Sequence, residues 1–183
     1  MTMSPALRKL TLTAHVSLSV GWIGTVVAYL ALGVAAVTRD DRTARAAWTA
    51  MDLIGWHVIV PLALGSLATG VVMAIGTRWG LFRHYWVLFS LVLTVFATVV
   101  LLLHMPSVSA TAERAQQLEG ASLDALGGDL LHPGIGHVVL LVVQVLNVYK
   151  PRGRTAHGRR QLNGRQEERA GHEALVPSSA TRC

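Results

Sequence analysis

Four long apolar segments dominate the chain, and shorter polar stretches separate them. The apolar segments run over residues 10–37, 53–75, 85–103 and 131–149. An α-helix needs about 20 apolar residues to cross the hydrocarbon core of a bilayer, and each segment approaches or exceeds that length. The pattern therefore predicts an all-α fold, a four-helix transmembrane bundle.

The polar stretches predict the connections between these helices. Residues 38–52 are amphipathic and are predicted to form a loop, and residues 76–80 a tight turn. Residues 107–131 are polar, and part of them, 112–118, predicts a surface helix. Within the second span, Pro61 has no N–H for the carbonyl of His57, which predicts a kink.

Small residues recur at every fourth position on three of the predicted spans. This spacing lets helices approach closely in lipid, where packing replaces the hydrophobic effect. We interpret these rows as contact faces, and on the first span the row lies away from His15 and Trp22. The rows are Ser17, Gly21 and Thr25; Ser66, Gly70 and Ala74; and Ser90, Thr94 and Thr98.

Composition agrees with a membrane protein and excludes several other classes. The chain is 52% hydrophobic and only 14% charged, and its mean hydropathy is +0.46, whereas soluble proteins have about 25% charged residues. The net charge of +6 comes without a nucleic-acid recognition motif, so no nucleic-acid partner is predicted. The only cysteine, Cys183, excludes an intramolecular disulfide and a cysteine-rich metal site. No phosphate loop, nucleophile elbow or zinc-protease motif indicates an enzyme.

The basic residues predict the orientation of the chain. Most of the 16 lysines and arginines lie before the first span, between the second and third spans, or after Tyr149. The positive-inside rule then places both termini in the cytoplasm, in the inner or plasma membrane. Residues 1–150 form the predicted membrane domain, and residues 151–183 a disordered basic tail that binds anionic lipid headgroups.

Histidines inside the spans are the candidate functional residues. With a rise of about 1.5 Å per residue, His57 and His137 each lie roughly 7 Å below the predicted outer face. His104 lies close above this level pair, and Gln144 adds a polar position to the face of His137. Two imidazoles that face each other across a bundle can hold haem b, and three can hold copper or zinc. An alternative is that these histidines only form hydrogen bonds.

His15 lies near the predicted inner face, where His84 is the available partner. Trp22 lies about 18 Å from the inner end, near the midplane, which predicts a space-filling role in the core. His104 and His132 fall at span ends, where wet interfacial histidines are ordinary and need no ligand, and His84 lies beside Arg83 at the inner interface, where it is predicted to contact headgroups or solvent.

A short motif on the first span, His15-x6-Trp22-x-Gly24 after a basic lead, carries a family resemblance. It resembles small bacterial four-span membrane proteins of unknown function, the copper-resistance D-type membrane domain and the protoporphyrinogen-oxidase-type membrane proteins that bind haem. The resemblance implies that His15 is a haem or metal ligand.

Three functions remain open from the sequence. The first is a membrane protein that holds haem b through His57, His137, His15 or His104, for electron transfer or redox sensing. The second is a small transporter without a cofactor, which needs a polar path through all four spans, whereas only the fourth span shows one. The third is a structural partner of another membrane protein or of a second copy of this chain.

Overall fold

The fold is a bundle of long α-helices. The computed structural model describes residues 3–38, 40–76 and 85–150, and no strand occurs in these ranges. The elements are α1 (Pro5–Thr38), α2 (Asp41–Ile54), a π-helical segment (Gly55–Ile59), α3 (Val60–Gly76), α4 (Tyr85–Ala115), α5 (Ala121–Asp124) and α6 (Leu131–Tyr149). Helix α1, the continuous stretch from α2 to α3, α4 and α6 are each long and apolar enough to span a membrane. The predicted all-α four-helix membrane bundle is confirmed.

The bundle has two distinct ends. At the end that we call the cap, α1 finishes, α2 begins, α4 finishes and α6 begins. At the other end, the base, α1 begins and α3 finishes, and the backbone N–H of Met3 donates to the carbonyl of Gly76 at 3.3 Å. Neighbouring spans are therefore antiparallel, and α6 packs against α1 and α4.

Helix α2 occupies residues that were predicted to form a loop. Asp40 is its N-cap, and the carboxylate of Asp40 accepts hydrogen bonds from the backbone N–H groups of Arg42 and Thr43. One face of α2 is apolar and buried, and it includes Trp48 and Met51. The charges that suggested a loop lie on the other face, because the helix is amphipathic.

The helix passes from α2 to α3 through the π-helical segment. Here the N–H of Val60 donates to the carbonyl of Gly55, five residues earlier. The widened turn ends two residues before Pro61, where the sequence predicted a kink. Gly55 also faces the side chain of Met105 on α4, and a β-carbon at Gly55 would collide with it.

Helix α4 extends beyond the predicted end of its span, through Pro106 to Ala115. The extension packs against α2 and buries Met105 and Val108. Polar contacts close the cap above them, since the guanidinium of Arg45 donates to the carbonyl of Leu118 at 3.0 Å. The cap therefore combines two helix extensions with the connection between α4 and α6.

The predicted contact rows are more buried on α3 and α4 than on α1. Ser66 and Ser90 are buried, whereas Ser17 on α1 is exposed. Helix α1 buries a different row instead: Trp22, Val26, Tyr29, Gly33 and Ala36. The face that carries Trp22 is thus the packing face of α1.

Two predicted features lie outside the described residues. They are the basic tail of residues 151–183, and the predicted turn of residues 76–80 beyond Gly76, together with His84.

Candidate functional site

Three potential metal ligands and a tyrosine meet at the cap end of the bundle. The Nε2 of His104 lies 2.7 Å from Oδ2 of Asp129, and the hydroxyl of Tyr29 donates to the same oxygen at 3.1 Å. The ring of His132 stacks on that of His104, with centroids 4.1 Å apart and planes inclined by 16°. We call these four residues the His–Asp cluster.

Separate elements supply the members of the cluster. Tyr29 lies on the buried face of α1, His104 lies on α4, and Asp129 and His132 lie just before and within the first turn of α6. The side chain of Asp129 is only 9% exposed. The cluster therefore depends on how the connection between α4 and α6 is placed against α1.

Two glycines fix that placement. A β-carbon at Gly33 on α1 would lie 3.0 Å from the carbonyl oxygen of Asp129 and 2.9 Å from the side chain of Leu130. A β-carbon at Gly128 would collide with the carbonyl of Gly33. The connection can therefore lie directly on α1, which brings Asp129 under the hydroxyl of Tyr29.

The donor set of the cluster suits a divalent transition metal. Three ligand atoms, one each from His104, Asp129 and His132, lie within 4.8 Å of one another. Two imidazoles and one carboxylate are a common ligand set for zinc and for non-haem iron, and they leave a coordination position open. A carboxylate only accepts hydrogen bonds, so the Nε2 of His104 carries the proton in its bond to Asp129. A bound metal would displace that proton.

An apolar cavity of about 250 Å³ lies beside the cluster. All four members of the cluster contribute to its lining, which extends to Trp22 and Leu140. The remaining lining residues are apolar. We call this space the cap cavity.

A second cavity of about 280 Å³ lies in the base half of the bundle, and we call it the base cavity. Trp22 and Leu140 line it too, so these two side chains stand between the cavities. Polar side chains from all four spans surround it, whereas the sequence showed a polar path on the fourth span alone. They include Ser19, Ser66, Ser90, Thr94, Gln144 and Asn147.

His15 lies at the wall of the base cavity. Its Nδ1 is 3.1 Å from both the carbonyl oxygen of Ser66 and the hydroxyl of Thr69. Because the carbonyl can only accept, Nδ1 carries the proton and the lone pair of Nε2 takes no part in these bonds. A β-carbon at Gly70 would lie 3.1 Å from the ring, so His15 is also a packing residue. Its predicted partner, His84, lies outside the described residues.

The structure does not bring His57 and His137 together as a facing pair. His57 is exposed, and its Nδ1 lies 3.1 Å from the carbonyl oxygen of Leu53 on its own helix. The π-helical segment with His57 packs against α1, α2 and α3, whereas α6 with His137 packs against α1 and α4. The Nδ1 of His137 is buried and has no hydrogen-bond partner among the described residues. Of the predicted ligands, His104 alone belongs to the His–Asp cluster.

Sequence reasoning missed Tyr29 and Asp129. It placed His132 among wet interfacial residues, and His132 is exposed in the structure. One signal was present for Tyr29, which continues the helical row of Trp22 and Val26. For Asp129, the signal was an acidic residue between the Gly127–Gly128 pair and a histidine at the start of a span.

Comparisons with protein-family models, with curated proteins and with solved structures give no match for this chain. The resemblance of the first span to haem-binding and copper-resistance membrane proteins therefore stays a prediction, and the assignment of function depends on the site itself.

Proposed function

We propose that this chain is an integral membrane protein that binds a divalent transition-metal ion at the cap end of its bundle, with zinc the favoured ion. His104, Asp129 and His132 would be the ligands, and Tyr29 would hold the carboxylate of Asp129. The observation that carries the proposal is the convergence of three ligand atoms within 4.8 Å from residues on two helices and the connection between them.

The ligand chemistry of the His–Asp cluster supports zinc over Cu⁺ and over haem b. Imidazole and carboxylate suit Zn²⁺, whereas Cu⁺ prefers the thiolate and thioether ligands that this cluster lacks. When two histidines hold haem b, their imidazole rings bind the iron from opposite faces, so the macrocycle must fit between the two rings. The rings of His104 and His132 stack with centroids 4.1 Å apart, which leaves no space for a macrocycle between them.

Cobalt substitution tests the proposal, because Co²⁺ occupies zinc sites. The visible absorption spectrum of the bound Co²⁺ reports the geometry of its ligands. We expect the purified full chain to bind one Co²⁺ that Zn²⁺ displaces. His132→Ala should abolish this spectrum, whereas His57→Ala, which removes an exposed histidine outside the cluster, should leave it unchanged. Equal spectra from both variants would refute the site.

The same preparation tests haem b. We expect no Soret or alpha band in a reduced-minus-oxidised spectrum after addition of hemin. Both bands, together with no displaceable cobalt, would favour the haem hypothesis.

We also propose that the chain lies in the inner or plasma membrane with both termini in the cytoplasm, so that the cap faces outward. The asymmetry of lysines and arginines supports this orientation. Cys183, the only cysteine, provides a natural probe. A membrane-impermeant maleimide should label it only after cells are permeabilised, whereas Ser122→Cys with Cys183→Ser should be labelled in intact cells. The reverse pattern would invert the topology.

A further inference from the structure

We propose that the metal site takes a single-chain carboxylate amphiphile from the bilayer, with the carboxylate on the metal and the apolar chain in the cap cavity. The inference rests on the proposed metal site and adds the chemical class of its ligand. It comes from the cavity, whose polar groups gather at one end while the rest of its wall is apolar.

The size of the cap cavity suits a short chain. A water molecule takes roughly 30 Å³ in the liquid, and the cavity volume is about 250 Å³. The space is thus several times larger than one water molecule requires, and it suits part of a single apolar chain. From the cluster the cavity runs between α1, α4 and α6 to Trp22, so a chain can extend along it with its head at the cluster.

The side of the cap cavity borders the surface that faces lipid. Phe96 on α4 and Ile135 on α6 both line the cavity, and they are 60% and 59% exposed. In a bilayer these exposed side chains contact acyl chains. A ligand that is dissolved in the membrane can therefore enter between α4 and α6.

The head of the ligand follows from the charge and geometry of the cluster. A divalent ion with the carboxylate of Asp129 leaves one positive charge, which a second carboxylate neutralises. The three protein ligands all line the cavity, so the open coordination position is reached from it. An acyl chain of an ordinary lipid would fill the apolar part alone and would leave this position to water.

Two glycines on α6 allow the cavity to be blocked with a matched control. A β-carbon at Gly136 or at Gly134 would meet no atom of the described residues within 4 Å, so both positions accept a side chain. Gly136 lines the cap cavity and Gly134 does not. Gly136→Leu should therefore fill the cavity while leaving the metal ligands in place. Gly134→Leu should leave both the cavity and the metal ligands unchanged.

The experiment uses the cobalt-loaded full chain in nanodiscs of phosphatidylcholine, with octanoate, acetate and octanol as probes. Octanoate should change the cobalt spectrum at a concentration at least about tenfold lower than the concentration of acetate that is needed. The burial of two methylene groups of the chain is enough to give this factor. Octanol, which lacks the carboxylate, should not change it. Gly136→Leu should remove the advantage of octanoate over acetate, and Gly134→Leu should keep it.

The outcomes separate this inference from the metal site itself. If the wild-type chain binds cobalt but responds equally to octanoate and acetate, the amphiphile proposal is wrong and the metal site stands. An octanoate response that is unchanged in Gly136→Leu and in a second blocking variant, Ala97→Leu, would equally refute the amphiphile proposal. If the wild-type chain binds no cobalt, both proposals fail. The cobalt spectrum of each variant reports whether its site is folded.

Discussion

Gly33 on α1 lies directly against the backbone of Asp129, so closely that a β-carbon at Gly33 would stand 3.0 Å from the carbonyl oxygen of Asp129. This contact joins residues almost a hundred positions apart. It places the carboxylate of Asp129 between Tyr29 and His104, and the proposed metal site depends on it.

Gly33→Ala should therefore weaken metal binding without touching a ligand. The added methyl group must push the connection away from α1, and overpacking of this kind costs about 1–3 kcal/mol of folding free energy. We expect a cobalt affinity at least about tenfold lower, which corresponds to about 1.4 kcal/mol. Gly24→Ala on the same helix is the control, because its β-carbon would meet no atom of the described residues within 4 Å. Equal cobalt affinities in the two variants would show that the connection does not position the site.

Tyr29→Phe should loosen the carboxylate of Asp129. The hydroxyl of Tyr29 donates to Oδ2 of Asp129 at 3.1 Å, and the substitution removes this bond without changing the shape of the buried ring. Groups that orient a ligating carboxylate typically change metal affinity by about 10–100-fold. We expect a loss in this range in a cobalt titration, with the maximum absorbance at saturation retained. Tyr85→Phe, at an exposed position at the start of α4, should bind cobalt like the wild type.

Asp40, the N-cap of α2, should titrate below the ordinary range of an aspartate. Hydrogen bonds to its carboxylate from the backbone N–H and the hydroxyl of Thr43 lower the pKa of Asp40 from 3.8, because they stabilise the charged form. Since the folded pKa is the lower one, the stabilisation of α2 is complete above pH 3.8 and is lost as pH falls through the folded value.

The carboxyl-carbon chemical shift of Asp40 measures this titration. The midpoint should lie below 3.8. Thr43→Ala, which removes the hydroxyl donor but keeps the backbone N–H, should move the midpoint part of the way back. A midpoint at or above 3.8 in the wild type would contradict the capping interaction.

The membrane spans could be predicted from the sequence because their signal is local. A bilayer demands about 20 consecutive apolar residues, and any sliding window detects them. The cap could not be predicted in this way. Helix α2 alternates arginines and aspartates with its apolar residues, so a window average hides the buried face that Trp48 and Met51 form against α4.

The candidate site was only partly predictable for a related reason. The rise per residue gives the depth of His57, but not the direction in which its side chain points around the helix axis. Helices that are apolar on all sides carry little information about that direction, and His57 is exposed in the structure. The contacts that made His104 part of a site come from Asp129 and Tyr29, whose meeting depends on the close approach at Gly33.

Two buried serines at the base cavity allow a test of its polar lining. The hydroxyl of Ser66 is 2.8 Å from that of Ser19, whereas the hydroxyl of Ser90 is buried without a partner among the described residues. Ser66→Ala leaves Ser19 without this bond and should lower the free energy of unfolding by about 0.6–1 kcal/mol. Ser90→Ala removes the same side-chain volume as Ser66→Ala, but the hydroxyl that it removes has no hydrogen-bond partner among the described residues. It should therefore leave the free energy of unfolding unchanged or raise it. Unfolding in mixed micelles measures both. If Ser90→Ala destabilises the chain as much as Ser66→Ala does, the hydroxyl of Ser90 is hydrogen-bonded in the native protein. Water, a ligand in the base cavity or a residue outside the described ranges then supplies the partner.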